Sequence, residues 1–140
     1  MGYLVKLDTN GSFPKKLKDL ARKKLIDYVA MDIKNSPEKY ALTSGIANWE
    51  KVRASVAFLL NGTVDYEFRT TVTGNLHEKS DFVSIGQWLT GAKRYFLQGF
   101  KDSGAILAGD AGQFAVSDDA LKEFLSTVRE FIPAAEIRGR

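Results

Sequence analysis

The chain has 140 residues, of which 44% are hydrophobic and 26% charged, a balance typical of one globular domain over residues 1–140. Its net charge of +3 is too small to indicate nucleic-acid binding. No apolar run approaches the ~18 residues that a membrane span needs, and the N-terminus lacks a secretory pattern. We therefore expect a cytoplasmic protein that binds neither nucleic acid nor membrane.

The sequence contains no cysteine and one histidine. The chain therefore offers no ligand for a thiolate-bound iron–sulfur cluster, and it cannot form a disulfide. The histidine, His77, follows the third predicted strand, where a loop or helix-capping role is a better interpretation than a catalytic base. Trp49 and Trp88 lie in predicted helices and are interpreted as packing residues.

Strands and helices alternate along the chain. In order, the predicted elements are a strand over residues 3–7, a helix over 14–24, a strand over 28–33, a broken region over 36–45, a helix over 48–60, a strand over 64–72, a helix over 81–89, a strand over 93–98, a loop over 99–113, a helix over 118–131 and a strand over 135–137. Turn chemistry at Asn10-Gly11 and Asn61-Gly62, and caps at Ser12, Ser80 and Ser117, set these limits.

This alternation predicts an α/β protein built from βαβ units around a parallel sheet. Either a doubly wound sheet or a partial (β/α) barrel would satisfy the pattern. A closed eight-unit barrel typically needs ~250 residues, so a barrel formed by this chain would be incomplete.

One face of each of the first three strands is polar. The polar positions are Lys6 and Asp8, then Ala30, Asp32 and Lys34, then Glu67, Arg69 and Thr71. The apolar positions are Val5, Leu7, Val29, Met31, Ile33, Tyr66, Phe68 and Val72. We therefore expect helices on the apolar side of the sheet only.

Four charged residues fall near the carboxyl ends of these strands, where parallel sheets bind ligands: Asp8, Asp32, Lys34 and Arg69. The two carboxylates suit a cationic group or a metal ion, and the two cations suit an anion. The set as a whole suits a zwitterion such as an amino-acid derivative. Mutual ion pairing, or solvation of an open sheet, is the structural alternative.

A second charged feature is the basic segment over residues 15–24. Its lysines and arginine surround an apolar stripe, so a solvated helix face is the favoured interpretation. A partner surface or a phosphate-binding patch remains open.

Five motifs in order and spacing carry a resemblance to a known family. They are VKLDTNG at residues 5–11, YVAMDIK at 28–34, YEFRTTV at 66–72, IGQWLTGA at 85–92 and YFLQGF at 95–100. Together they closely resemble the anaerobic ribonucleoside-triphosphate reductase activating proteins, relatives of pyruvate formate-lyase activating enzyme in the radical S-adenosylmethionine (SAM) superfamily. The likeness is strong to about residue 100 and weaker after it.

The resemblance implies a partial (β/α) barrel, a [4Fe-4S] cluster bound by a CxxxCxxC loop, and reductive cleavage of SAM that places a radical on a glycine of the partner reductase. It implies that Asp8 and Asp32 lie beside the SAM methionyl group and share a monovalent cation with the SAM carboxylate, with Thr9 as an oxygen ligand. Lys34 and Arg69 would line the same cavity. No catalytic residue follows with certainty.

The chain departs from the family pattern at its start. It begins at what resembles the third strand of the barrel, without the cluster loop or the glycine-rich motif that binds the SAM amine. We therefore expect the chain alone to be inactive, either as a shortened form of the complete enzyme or as one half of a split enzyme in which a second polypeptide carries the cluster loop.

Two other functions are compatible with these residues. Lys34 beside carboxylates at a strand end would suit a Schiff-base aldolase. A half-barrel that binds a partner protein without catalysis is the second.

Overall fold

The computed structural model describes residues 4–99 and 115–139. Its elements are β1 (Lys6–Thr9), α1 (Pro14–Arg22), β2 (Tyr28–Asp32), α2 (Pro37–Ser44), α3 (Ile46–Leu60), β3 (Asp65–Val72), α4 (Lys79–Trp88), β4 (Tyr95–Gly99), α5 (Asp118–Arg129) and β5 (Glu136–Ile137). All strands are parallel and lie in the order β1-β2-β3-β4-β5. The predicted α/β fold with strands in chain order is confirmed.

Local sequence signals account for most helix boundaries. Pro14 occupies the first turn of α1, where its missing N–H costs no hydrogen bond. Glu78 and Asp81 form a capping box at the start of α4. The Ser117 hydroxyl accepts a 3.1 Å hydrogen bond from the Ala120 N–H at the start of α5, which confirms that predicted cap.

The predicted break over residues 36–45 is wrong, because Pro37–Ser44 form the helix α2. Proline is tolerated in a first helical turn, and the helix ends at Gly45 with φ +85°, so the two breaker signals delimit α2 instead of preventing it. Burial of Tyr40 stabilises α2, since its ring lies 5.8 Å from Trp49 and 5.9 Å from Trp88. Both tryptophans are half-buried packing residues, as predicted.

The first strand begins and ends later in the chain than predicted: it covers Lys6–Thr9 instead of residues 3–7. Val5 lies before the ladder, where its N–H donates to the Asp27 carboxylate at 2.7 Å. The loop predicted over residues 99–113 lies outside the described residues, except for Gly99 in β4. The remaining element limits differ from prediction by one or two residues.

The described helices pack on one face of the sheet. Leu7, Val29, Met31, Phe68 and Leu97 point to that face and join the helix side chains in a single core. The opposite face carries the polar side chains, as predicted. None of the helices in the described ranges is both long and apolar enough to cross a bilayer.

Candidate functional site

Three of the predicted site residues meet at the carboxyl edge of the sheet. The Arg69 Nε donates to Asp32 Oδ1 at 2.8 Å, and its Nη2 lies 3.6 Å from Asp8 Oδ1. Strand register explains the meeting, because Asp32 is paired with Arg69 and both lie on the polar face with Asp8. One guanidinium on β3 thus interacts with carboxylates from β2 and β1.

The two carboxylates of this cluster favour the charged form of Arg69. The hydrogen bond to Asp32 is the largest cause that raises the pKa of Arg69 above its ordinary value, and the charges of Asp32 and Asp8 act in the same direction. Each of the two carboxylates contacts Arg69 through only one of its oxygens. The Asp8 side chain is 63% exposed and that of Asp32 38%, so oxygens of both remain open to a further cation.

Lys34 lies at the margin of the cluster. Its Nζ is 4.0 Å from Asp32 Oδ2, and its side chain is 68% exposed. Its backbone is held more firmly than its side chain. The Lys34 N–H donates to the buried Tyr40 hydroxyl at 2.6 Å, and its carbonyl is 3.0 Å from Nε2 of the buried His77. These two side chains fix the chain direction directly after β2.

His77 is therefore a structural loop residue, as the sequence indicated. Its Nδ1 accepts a 3.0 Å hydrogen bond from the Thr73 N–H, so Nε2 carries the proton that it donates to Lys34. The ring joins the loop after β3 to the loop after β2. A loop contact at the same place comes from Asn35 Nδ2, which donates to the Leu76 carbonyl at 3.1 Å.

Thr9 differs from the other predicted site residues. It alternates with Asp8 on β1 and pairs with Met31, which places it on the helix side of the sheet. Its hydroxyl accepts a 3.0 Å hydrogen bond from the Gly11 N–H. The structure thus uses Thr9 to shape the turn, and its role as an oxygen ligand stays a prediction.

The loop that follows Asp8 is anchored to α3. The buried Ser55 hydroxyl donates to the Gly11 carbonyl at 2.8 Å, and the Ser12 hydroxyl donates to Asn48 Oδ1 at 3.0 Å. The helix layer thereby fixes the end of β1 and the position from which Asp8 projects.

A second ion pair on the polar face was not singled out from the sequence. Glu67 accepts from Arg138 Nη1 at 2.8 Å and from the Tyr28 hydroxyl at 2.9 Å, and the Arg138 guanidinium lies 3.6 Å from the centre of the Phe96 ring. Burial raises the pKa of Glu67, but the bonds from Arg138 and Tyr28 outweigh it and hold the pKa below its ordinary value. Alternation indicated that Glu67 faces the polar side, but no local signal links it to Arg138.

The described residues differ in their fit to the two cofactors that the resemblance implies. The open oxygens of Asp8 and Asp32 can accept the cationic groups of SAM. The neighbouring cations Lys34 and Arg69 can attract its carboxylate. A [4Fe-4S] cluster does not fit, because the chain has no thiolate. Within residues 4–99 and 115–139 no three acidic or histidine side chains gather into a metal site. The shared monovalent cation at Asp8 and Asp32 remains a prediction, and Arg69 supplies positive charge there.

Comparison with known sequences gives one informative relative. A scan against protein-family models found no match. The chain is 30% identical over 109 residues to a Methanocaldococcus jannaschii protein that is provisionally named as a glycyl-radical enzyme activating enzyme. The match covers 74% of this chain and 45% of that protein, so the chain spans less than half the length of the relative.

Comparison with solved structures concerns the fold. The chain is similar to the crystal structure of a domain of pyruvate-formate lyase-activating enzyme from Bacteroides vulgatus, with a TM-score of 0.77 over 99% of this chain and 83% of that chain. The two are 12% identical in sequence, so the likeness establishes a common fold and no more. The sequence match supports the resemblance at the level of glycyl-radical activating enzymes in general, and the structural match supports the fold.

Proposed function

We propose that this chain is part of a radical SAM activating enzyme that generates a glycyl radical on an anaerobic ribonucleotide reductase. In this proposal it forms one wall of the SAM site. The cluster thiolates come from outside these 140 residues, since the chain contains no cysteine. The partner is a glycyl radical enzyme, and the chain alone is inactive.

The observation that carries the proposal is the cluster in which Arg69 interacts with Asp8 and Asp32 at the carboxyl edge of the sheet. Ligands of parallel α/β proteins bind at that edge. The chain that contains this cluster is similar to an activating enzyme over 109 residues.

The residues of the chain would act by binding and orientation. The open oxygens of Asp8 and Asp32 hold cationic groups of the ligand, and Lys34 opposes its carboxylate. Arg69 contacts both carboxylates and thereby fixes their spacing. Bound SAM would supply, after reductive cleavage, the radical that abstracts hydrogen from glycine. Polar groups fixed before the ligand arrives lose little freedom on binding, which favours affinity.

Calorimetric titration of the chain with SAM and with S-adenosylhomocysteine tests the site. We expect SAM to bind more tightly, because the homocysteine analogue lacks the positive charge at sulfur. Asp32→Asn and Asp8→Asn should each weaken SAM binding by about tenfold, the effect of losing one charge-assisted contact.

Asp65→Asn is the matched control, because Asp65 lies on the same face at the far end of β3 and pairs with Arg94. It should leave SAM binding unchanged. Equal affinity of the wild type and both site variants for SAM, or a preference for S-adenosylhomocysteine, would contradict the proposed site. Thermal unfolding of each variant separates a local effect from loss of fold.

The choice of partner is tested separately. The chain is combined anaerobically with SAM, a one-electron reductant and a polypeptide that carries a reconstituted CxxxCxxC cluster, and then with an anaerobic ribonucleotide reductase or a pyruvate formate-lyase. We expect the electron paramagnetic resonance signal of a glycyl radical with the reductase. A signal with the lyase alone would contradict the reductase assignment.

The aldolase alternative is disfavoured by the surroundings of Lys34. A Schiff-base lysine is activated by desolvation or by a neighbouring cation, whereas this side chain is 68% exposed and faces a carboxylate. Borohydride trapping with a carbonyl substrate tests it, and we expect no adduct at Lys34.

A further inference from the structure

A cleft of about 520 Å³ lies between α1 and α3, in the helix layer of the molecule. Its cationic walls are Lys18 and Arg22 on α1 and Arg53 on α3. Its lining also includes the apolar groups Ala54, Ala57 and Phe58, together with Glu50 and Asn61. It shares no residue with the candidate SAM site.

The positive charge of the chain is concentrated beside this cleft. Residues 15–24 contain six lysine and arginine residues and one aspartate, which makes the segment more positive than the whole chain at +3. Part of this charge has a structural reason, because Arg22 in the last turn of α1 interacts favourably with the helix dipole. Lys18 lies a full turn earlier, where that reason is much weaker.

Ion pairing does not neutralise the cleft. Lys18 and Arg22 are four residues apart on one helix face, a spacing at which like charges repel. In the part of the chain that the structure describes, neither has a carboxylate within 4.0 Å. Arg53 pairs with Glu50, the only carboxylate in the lining, so three cations face one anion.

We propose that this cleft binds a small phosphate-bearing molecule. Guanidinium groups recognise phosphate oxygens in pairs, and ammonium groups add charge. The cleft has the volume of a small-molecule site and an apolar floor, features that a solvated helix face does not require. The floor favours a ligand that carries an apolar ring beside its phosphates, so a nucleoside polyphosphate should bind more tightly than an inorganic one.

The test uses inorganic pyrophosphate and adenosine triphosphate, titrated into the chain at low ionic strength and followed by calorimetry and backbone NMR. We expect saturable binding, with shifts centred on the amides of Lys18, Arg22 and Arg53. The double variant Lys18→Ala/Arg22→Ala should weaken binding by about tenfold or more.

The matched control is Lys15→Ala/Lys23→Ala. It removes the same charge from the same segment, but neither residue lines the cleft, and Lys23 already pairs with Asp19 at 3.1 Å. We expect less than a threefold change. Glu50→Gln should act in the opposite direction and tighten binding, because it releases Arg53.

Several results would overturn the proposal. One is the absence of saturable binding of both compounds at millimolar concentration. Another is equal weakening by the two double variants, which would show a diffuse charge effect. A third is tighter binding of a short DNA duplex with shifts spread over all of α1, which would indicate a nucleic-acid surface. Equal affinity for pyrophosphate and the nucleotide would refute the role of the apolar floor. None of these results bears on SAM binding at Asp32.

Discussion

The contact between Arg138 and Glu67 should make the stability of the fold depend on pH in a defined way. Glu67 is 3% exposed, and its carboxylate is held by Arg138 and Tyr28. Replacing Arg138 by methionine keeps the aliphatic stem but leaves a buried charge with one partner fewer. We expect this substitution to lower the free energy of unfolding at pH 7 by more than Arg94→Met, which breaks an exposed ion pair on the same face.

The magnitude follows from burial. Breaking a fully buried pair costs about 3–5 kcal/mol. Arg138 is 39% exposed, and the Tyr28 bond to Glu67 remains, so water and a hydroxyl compensate in part. We therefore expect about 2–3 kcal/mol. About 0.5–1 kcal/mol of this comes from the lost contact with Phe96 and does not depend on pH.

The pH dependence has a definite sign. Because the folded-state pKa of Glu67 lies below its unfolded value, the carboxylate contributes stability above the unfolded pKa, and this contribution is lost as the pH falls through the folded pKa. Without Arg138 the folded-state pKa rises. The difference in the free energy of unfolding between Arg138→Met and the wild type should therefore have its largest value at pH 7. In acid it should fall toward the contribution of the lost Phe96 contact.

Urea unfolding at pH 7 and pH 4 measures both quantities. Arg94→Met is the matched control, because Arg94 pairs with Asp65 on the same face but both side chains are more than 40% exposed. It should cost less than about 1 kcal/mol at pH 7. On a Glu67→Gln background, Arg138→Met should cost only about 1 kcal/mol at either pH. A loss that is the same at both pH values, or equal losses for Arg138→Met and Arg94→Met, would refute this reasoning.

Three further substitutions test the framework around the candidate site. Gly11→Ala should lower stability by about 1–3 kcal/mol in thermal unfolding, because Gly11 has φ +80° and the new Cβ would overlap the Met31 methyl group; an unchanged midpoint would be inconsistent with this turn. Tyr40→Phe should cost about 1 kcal/mol and speed hydrogen exchange of the Lys34 amide, which donates to that hydroxyl; unchanged exchange would argue against the contact. Phe82→Ala should cost about 3–5 kcal/mol, since the ring is fully buried, and a loss below 1 kcal/mol would mean that the core rearranges.

Alternation of polar and apolar residues made much of the site predictable. A strand has a side-chain period of two, so the sequence alone places Asp32 and Arg69 on the polar faces of their strands. Strand–helix alternation then predicts parallel neighbours with their carboxyl ends together. These rules were sufficient to predict that Asp8 and Arg69 lie at the carboxyl edge of the sheet.

Two features depend on contacts between residues far apart in the sequence and could not be predicted from local sequence patterns. The helix α2 forms between its two breaker residues because Tyr40 packs against Trp49 and Trp88, which lie on two other helices. The pairing of Glu67 with Arg138 joins residues 71 positions apart and requires β4 and β5 to lie in register beside β3. The sequence by itself therefore determined the strand faces, the fold class and the edge at which charges gather, because these follow from the geometry of single elements. Only the tertiary structure decided which charges neutralise one another, because that depends on how the elements pack.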